Sequence, residues 1–295
     1  MAIGAIIKYN NAEIATATEN DSKILDCNGK YMENNLVVSL EKVFDPVFNN
    51  NSWDDIKLAV NAGKASSYWK VGDRKAVTLN GTVGTKSFSN TTTYCYILGF
   101  DHNKDVESNG AHALHIGFGA SALSGGAYIA YVDSSYDKQV SISCFNMNTS
   151  NTNSGGWNSC QMKSTICPAF KNALPSDLRN NIRAVTKWQN NGKSTSGQSS
   201  SNEIWLLSEK EIFGYASLTN YTANQVQYDF YKGVTDWSAA PRIKYKDTST
   251  SEGVIWWWRS ASSGNSNSFC CVNPKGNATN NSAYYSLGFA PCLCL

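Results

Sequence analysis

The chain has 295 residues, of which 41% are hydrophobic and 16% charged, with a net charge of +2. A balance so near neutral, without a basic run, argues against a nucleic-acid or anionic-membrane surface, and no apolar stretch reaches the length of a membrane span. Polar character comes from Asn, Ser, Thr and Gly, the residues of turns and irregular loops, while the apolar content suffices for a large core.

The opening "MAIGAIIKYNNAEI" has no basic n-region and its apolar run stops at Lys8, so no secretory signal is read. Nine cysteines, an odd number without an export signal, are then expected to be mostly free or buried thiols. "AIGAIIKYN" and "AEIATAT" are expected to pair across a turn at Asn10 and Asn11, with "NLVVSLE" as a closing strand. This makes a small β module over residues 1–45, and "EKVFDPVFNNN" a connector.

A larger domain is predicted over 52–295. Ser52 before "WDDIKLAVNAGK" suits an N-cap, Ile56 and Val60 share a helical face, and Gly63 suits the position just past the end. "KAVTL" followed by Asn80-Gly81 predicts a hairpin turn, and "TTTYCYILGF" a central strand. "LPSDLRNNIRAVTKW" predicts a helix opened by Pro175 and Ser176, and "NNGKSTSGQSSSN" a polar loop or disordered insert. "WLLSEKEIFG" leads into a helix with a Ser208/Glu211 capping box. "GVIWWWRS" predicts a strand with Trp256 and Trp258 on one face and Trp257 on the other. Short strands, few helices and long loops give an α+β fold class.

Chemistry is sparse in this pattern. There is no nucleophile elbow, no HExxH, no Walker loop and no carboxylate pair, so no catalytic residue and no cofactor is assigned. "HALH" at 112–115 has metal-like spacing only if helical and lacks a third ligand in the sequence nearby. Cys270-Cys271 and the terminal "CLCL" lack zinc-site spacing and are expected to be buried thiols. Arg259, inside a strand, is expected to hold a structural network.

The last forty residues differ in kind. After Arg259 the only charge is Lys275, and Asn, Ser, Gly and Tyr are interleaved with Phe269, Val272, Leu287 and Phe289. Tyr with Ser, Gly and Asn is the composition of adaptable binding loops. "WWWRSASSGNSNSFCCVNPKGNATNNSAYYSLGFAPCLCL" (256–295) resembles the C-terminal variable region of diversity-generating retroelement target proteins, through its W-x-R-S strand, N-S-x-x-F-C core, Asn-studded stretch and G-hydrophobic-x-P close. "YILGFDH", "NSGGW", "LPSDLRNNI" and "WLLSEKEIFG" resemble a domain of unassigned function, frequent in gut bacteria and their phages, that is related to the C-type lectin fold of formylglycine-generating enzymes. "TATENDSKILDCNGKYMENNLVVSL" is similar to the β module that opens many phage tail-associated proteins.

The resemblance implies a C-type-lectin-like (formylglycine-generating-enzyme-like) domain at 52–295 whose variable region spans about 256–295. In that family substitutions arise at template adenines, so Asn codons become the varied positions. Asn265, Asn273, Asn277, Asn280 and Asn281 are then unaltered candidates, and Ser268, Cys271, Pro274, Thr279, Tyr284, Tyr285 and Leu287 altered ones. Trp258 and Lys275 are counted on the same ligand-binding surface, although a Trp codon is not reached from AAC by adenine changes alone. The implied protein is a non-enzymatic adhesin of a phage tail, or of a bacterial cell surface. Its ligand is a host or other cell-surface protein or glycan, and its N-terminal module joins other virion tail components. Display as a homo-oligomer such as a trimer would raise avidity. A formylglycine-generating-type copper oxidase and a purely structural tail or surface protein are the alternatives.

Overall fold

The computed structural model describes residues 5–9, 12–17, 25–26, 44–121, 126–234 and 241–295. The chain divides into two compact units, Met1–Val43 and Phe44–Leu295. In the first, β1 (Ala5–Tyr9) and β2 (Ala12–Ala17) pair antiparallel with Tyr9 opposite Ala12, and β3 (Leu25–Asp26) adds to β2. The closing strand expected in "NLVVSLE" lies outside the described residues.

The second unit is a mixed α/β structure. It opens with α1 (Trp53–Asn61), where the Ser52 hydroxyl accepts the Asp55 N–H and Asp54 and Asp55 complement the helix dipole in the first turn. Ile56, Ala59 and Val60 form its buried face, and Gly63 follows with φ +68°. Strands β4 (Arg74–Val83) and β5 (Lys86–Phe100) come next. The hairpin is not turned at Asn80-Gly81 as the dipeptide predicted: β4 runs through it with a register shift between Leu79 and Gly81. The turn lies at Gly84-Thr85, where Gly84 takes φ +60°. Val83, fully buried, and Leu79 anchor the longer strand in the core, and that burial outweighs the local turn signal.

The short helix α2 (Lys104–Glu107) precedes β6 (Leu114–Ala120), in which every residue is buried. Then follow β7 (Ile129–Ala130), β8 (Lys138–Gln139) and α3 (Cys167–Ala173), the last with Pro168 in its first turn. The helix expected from Pro175 is one turn, Ser176–Arg179, and the chain then enters β9 (Val185–Asn190). Val185 and Lys187 face inward on period two and override the helical spacing of Leu178 and Ile182. The expected polar loop contributes β10 (Gly197–Asn202), paired with β9 along its whole length.

After β11 (Ile204–Trp205), α4 (Glu209–Phe213) carries the predicted capping box, with the Ser208 hydroxyl accepting the Glu211 N–H, the Glu211 carboxylate accepting the Ser208 N–H, and Gly214 ending the helix at φ +78°. β12 (Tyr245–Lys246) and β13 (Ser249–Gly253) lead to β14 (Trp256–Ala261), β15 (Ser268–Val272), β16 (Ala278–Ser282), β17 (Tyr285–Ser286) and β18 (Cys292–Cys294). The main sheet runs β11-β18-β6-β5-β4, all antiparallel, and a second sheet runs β14-β15-β16. "TTTYCYILGF" is thus an interior strand as expected. α3 packs on the main sheet with Phe170 against Phe118, ring centroids 5.1 Å apart. Among the described residues no helix is long and apolar enough to cross a membrane.

Candidate ligand-recognition surface

Strand β14 is the foundation of the C-terminal region. Its three tryptophans alternate across the strand, and all three are fully buried, because both faces of β14 are covered. Trp256 Nε1 donates to the Arg242 carbonyl and Trp257 Nε1 to that of Phe145. Trp258 packs on Phe213 at 5.3 Å and on Trp256 at 6.3 Å.

Arg259, next in the strand, is also fully buried. Its guanidinium grips Glu211 through both terminal nitrogens, at 2.5 and 2.8 Å, and donates to the Leu206 carbonyl. Glu211 also meets Lys187 at 3.2 Å, and Lys187 reaches Glu107 and the Tyr228 hydroxyl. Two carboxylates thus face two cations, and the buried set is close to neutral. Burial pushes the Glu211 carboxyl up, but Arg259 and Lys187 outweigh it and hold the group well below the ordinary range. Burial dominates at Glu107 and raises it to about 7 against the pull of Lys187. His115 bonds the Tyr228 hydroxyl through Nδ1, and His102 stacks on the Tyr228 ring at 3.6 Å. Burial lowers both histidines, His102 to about 3.

"HALH" therefore does not form the helical pair its spacing suggested. His112 lies in a loop bonded to Asp101, and His115 belongs to β6. A potential ligand set does exist at His102, Glu107 and Glu211, which the sequence spacing did not disclose. Lys187 already bridges its two carboxylates, so an ammonium stands where a metal cation would be drawn. This cluster reads as the ionic core that fixes β9, α4 and β14 to one another.

On that foundation sits a loop held from beneath. The buried Asn153, from the "NSGGW" motif, reaches the carbonyls of Ser262, Asn265 and Ser268 through Nδ2. The β15–β16 turn is set by Asn273, whose Oδ1 accepts the N–H groups of Lys275 and Asn277, with Gly276 at φ +84°. Asp133, also buried, accepts the Ser286 hydroxyl and the Phe145 N–H, and so positions the chain beyond the two tyrosines.

The fourteen candidate residues separate by exposure. Asn265, Pro274 and Lys275 are exposed, and Asn273, Asn277, Thr279, Asn280, Asn281, Tyr284 and Tyr285 are half-buried. The tyrosine rings meet edge to face at 5.6 Å, and Gln139 Nε2 donates to the Tyr285 hydroxyl. Trp258, Ser268, Cys271 and Leu287 do not belong to a surface: all four are buried. Trp258 and Leu287 fill the core, Ser268 turns its hydroxyl to Asn267, and burial alone pushes the Cys271 thiol well up, outside the range of a reactive thiol. All eight described cysteines are buried and free, as expected for most of the thiols. Cys270 and Cys271 point to opposite faces of β15, so they cannot share one ion.

Residues 136–295 match the family model described as Domain of unknown function (DUF6273), and the chain belongs to that family. No curated protein and no solved structure matches the chain.

Proposed function

We propose that the protein is a non-enzymatic binding protein whose C-terminal segment, about 256–295, presents a diversified recognition surface on a C-type-lectin-like scaffold. The observation that carries this reading is the division within the segment. Its tryptophans, Phe269 and its four cysteines are buried in β14, β15 and β18, while Asn265, Asn273, Pro274, Lys275, Asn277, Thr279, Asn280, Asn281, Tyr284 and Tyr285 keep solvent contact. Binding by exchangeable side chains needs this arrangement, because the framework must survive each substitution. Tyr284 and Tyr285 are the anchors, since rigid amphipathic rings carry much of the energy of such surfaces. The ligand is a protein or glycan on a host or other cell surface. The N-terminal unit is the attachment module to a phage tail, and multivalent display, as in a trimer, compensates for weak single contacts.

The test is to sequence the 3′ end of the gene across a population of its source, with the neighbouring DNA. Substitutions concentrated at codons of the ten solvent-contacting positions, beside a near-copy repeat and a reverse transcriptase gene, are the expected result. One fixed sequence in every copy and no repeat would overturn the diversified surface.

A further inference from the structure

The β15–β16 hairpin has an outer side whose backbone groups can be assigned from its register. Pairing runs without a break from Val272 opposite Ala278 to Ser268 opposite Ser282. At one end the Asn273 N–H bonds the Asn277 carbonyl, and at the other the Ala283 N–H bonds the Asn267 carbonyl. Hydrogen-bonded pairs recur at every second residue of an antiparallel ladder. Thr279 and Asn281 therefore direct their N–H and C=O groups to β15, and Ala278, Asn280 and Ser282 direct theirs outward. Asn281 Oδ1 takes the Ser282 N–H at 2.8 Å. Among the described residues, nothing bonds the N–H or C=O of Ala278 or Asn280, and β16 is the last strand of its sheet.

Sheet edges in folded proteins are ordinarily blunted by a charge, a proline or a bulge. β16 reads Ala-Thr-Asn-Asn-Ser and has none of these. At its first residue a cleft of about 770 Å³ opens, with Phe213, Tyr215 and Val234 beside Ser217, Gln227 and Arg242 in its walls. An aromatic recess beside outward amides suits an extended chain carrying an apolar side chain.

We propose that β16 is a docking edge for an extended peptide segment of a partner protein, which adds to the sheet as a fourth strand. The amides and carbonyls of Ala278 and Asn280 bond the incoming backbone, Thr279 and Asn281 meet side chains on one face, and Ala278 and Asn280 meet those on the other. The cleft takes one apolar side chain at the Ala278 end. This rests on the reading of 256–295 as a recognition surface and adds an anchor to it that does not depend on side-chain identity. Substitution at the Asn positions would then alter selectivity while a backbone contribution to affinity persisted.

The test uses the full chain and a displayed library of random decapeptides. Asn280 gives its N–H to nothing in β15, so Asn280→Pro removes one outward donor from an edge and leaves the internal ladder intact. Asn280→Ala is the side-chain control. The expected result is that selected peptides bind Asn280→Pro about tenfold more weakly than Asn280→Ala, the worth of one good hydrogen bond. In the wild-type protein those peptides should slow hydrogen exchange of the Asn280 amide at least as much, a readout that does not depend on the proline variant folding. Equal binding to the two variants, unchanged Asn280 exchange, or no selected peptide would each overturn the proposal. So would an Asn280 amide already protected in the free monomer, or protected only through concentration-dependent self-association. Failure here is separable from failure of the diversified-surface reading: peptides that need Tyr284 and Tyr285 but spare the Asn280 amide sink only the edge, whereas a fixed gene sequence sinks only the diversification.

Discussion

Two strands of one small sheet could hardly differ more in their surroundings. β14, Trp-Trp-Trp-Arg-Ser-Ala, is buried at every residue, and β16, Ala-Thr-Asn-Asn-Ser, keeps partial solvent contact at every residue. Only β15 lies between them. The step from sealed interior to open edge takes two strand spacings, roughly 10 Å, and the three-strand ladder transmits the rigidity of one end to the other. Side chains at the open end can therefore change without loosening the backbone that carries them.

The comparison breaks most sharply at the buried end. Trp257→Ala should cost about 3–5 kcal/mol of stability by cavity formation and loss of the bond to Phe145, measured by urea unfolding. Arg259→Met should cost a similar amount, about 3–5 kcal/mol, because it leaves Glu211 ionised and underpaired in the interior. If either variant unfolds with the wild-type midpoint, β14 is not the foundation argued for it.

The ionic core also sets a pH dependence. His102 and His115 are held neutral in the fold by burial but protonate near 6.5 in the unfolded chain. The unfolded state then binds the extra protons, so their contribution is present above 6.5 and is lost as pH falls below it. Glu107 works in the opposite sense. Raised to about 7, it holds a proton in the fold that the unfolded chain releases near 4.5, so its contribution grows as pH falls through that window. Two losses against one gain leave stability falling as pH falls below 6.5. Glu107→Gln removes the gain and should steepen that fall. Unfolding free energies at pH 6 and pH 5 for both proteins measure this directly, and equal slopes would refute the assignment.

Nearer the surface, Asn153→Ala should cost about 1–3 kcal/mol by stranding the carbonyls of Ser262, Asn265 and Ser268, with increased hydrogen exchange confined to 262–268 as the specific sign. At the open edge, Asn277→Ser, Asn280→Ser and Asn281→Ser should each shift stability by no more than about 0.5 kcal/mol. A larger loss at these three would mean that the edge is part of the framework and would weaken the case for exchangeable positions.

The sequence made the two helix caps legible, because Ser52 and the Ser208/Glu211 box act over three residues. The interior placement of β5 was legible too, from the length of "TTTYCYILGF" and its β-branched and aromatic content. What escaped was set at long range. Asn80-Gly81 is a strong local turn signal, but Leu79 and Val83 are worth more in the core. The Ser-rich 197–202 segment has no strand composition of its own and takes strand form from β9. In 256–295 the Asn and Tyr positions that keep solvent contact could be read from composition. Trp258, Ser268, Cys271 and Leu287 could not, since burial there comes from chain far away in sequence. The ionic core assembles residues from 102 to 259, and no spacing pattern announces it.

The cysteines have a practical consequence. Eight thiols distributed over β5, β15, β18, α3 and the intervening loops are shielded from solvent, so an alkylating reagent can reach each only when its own neighbourhood opens. Peptide-resolved alkylation of the untreated native protein would thus time local openings strand by strand, without a single engineered label. The rate at Cys271, in the strand between sealed interior and open edge, would report how far motion at the edge penetrates the molecule.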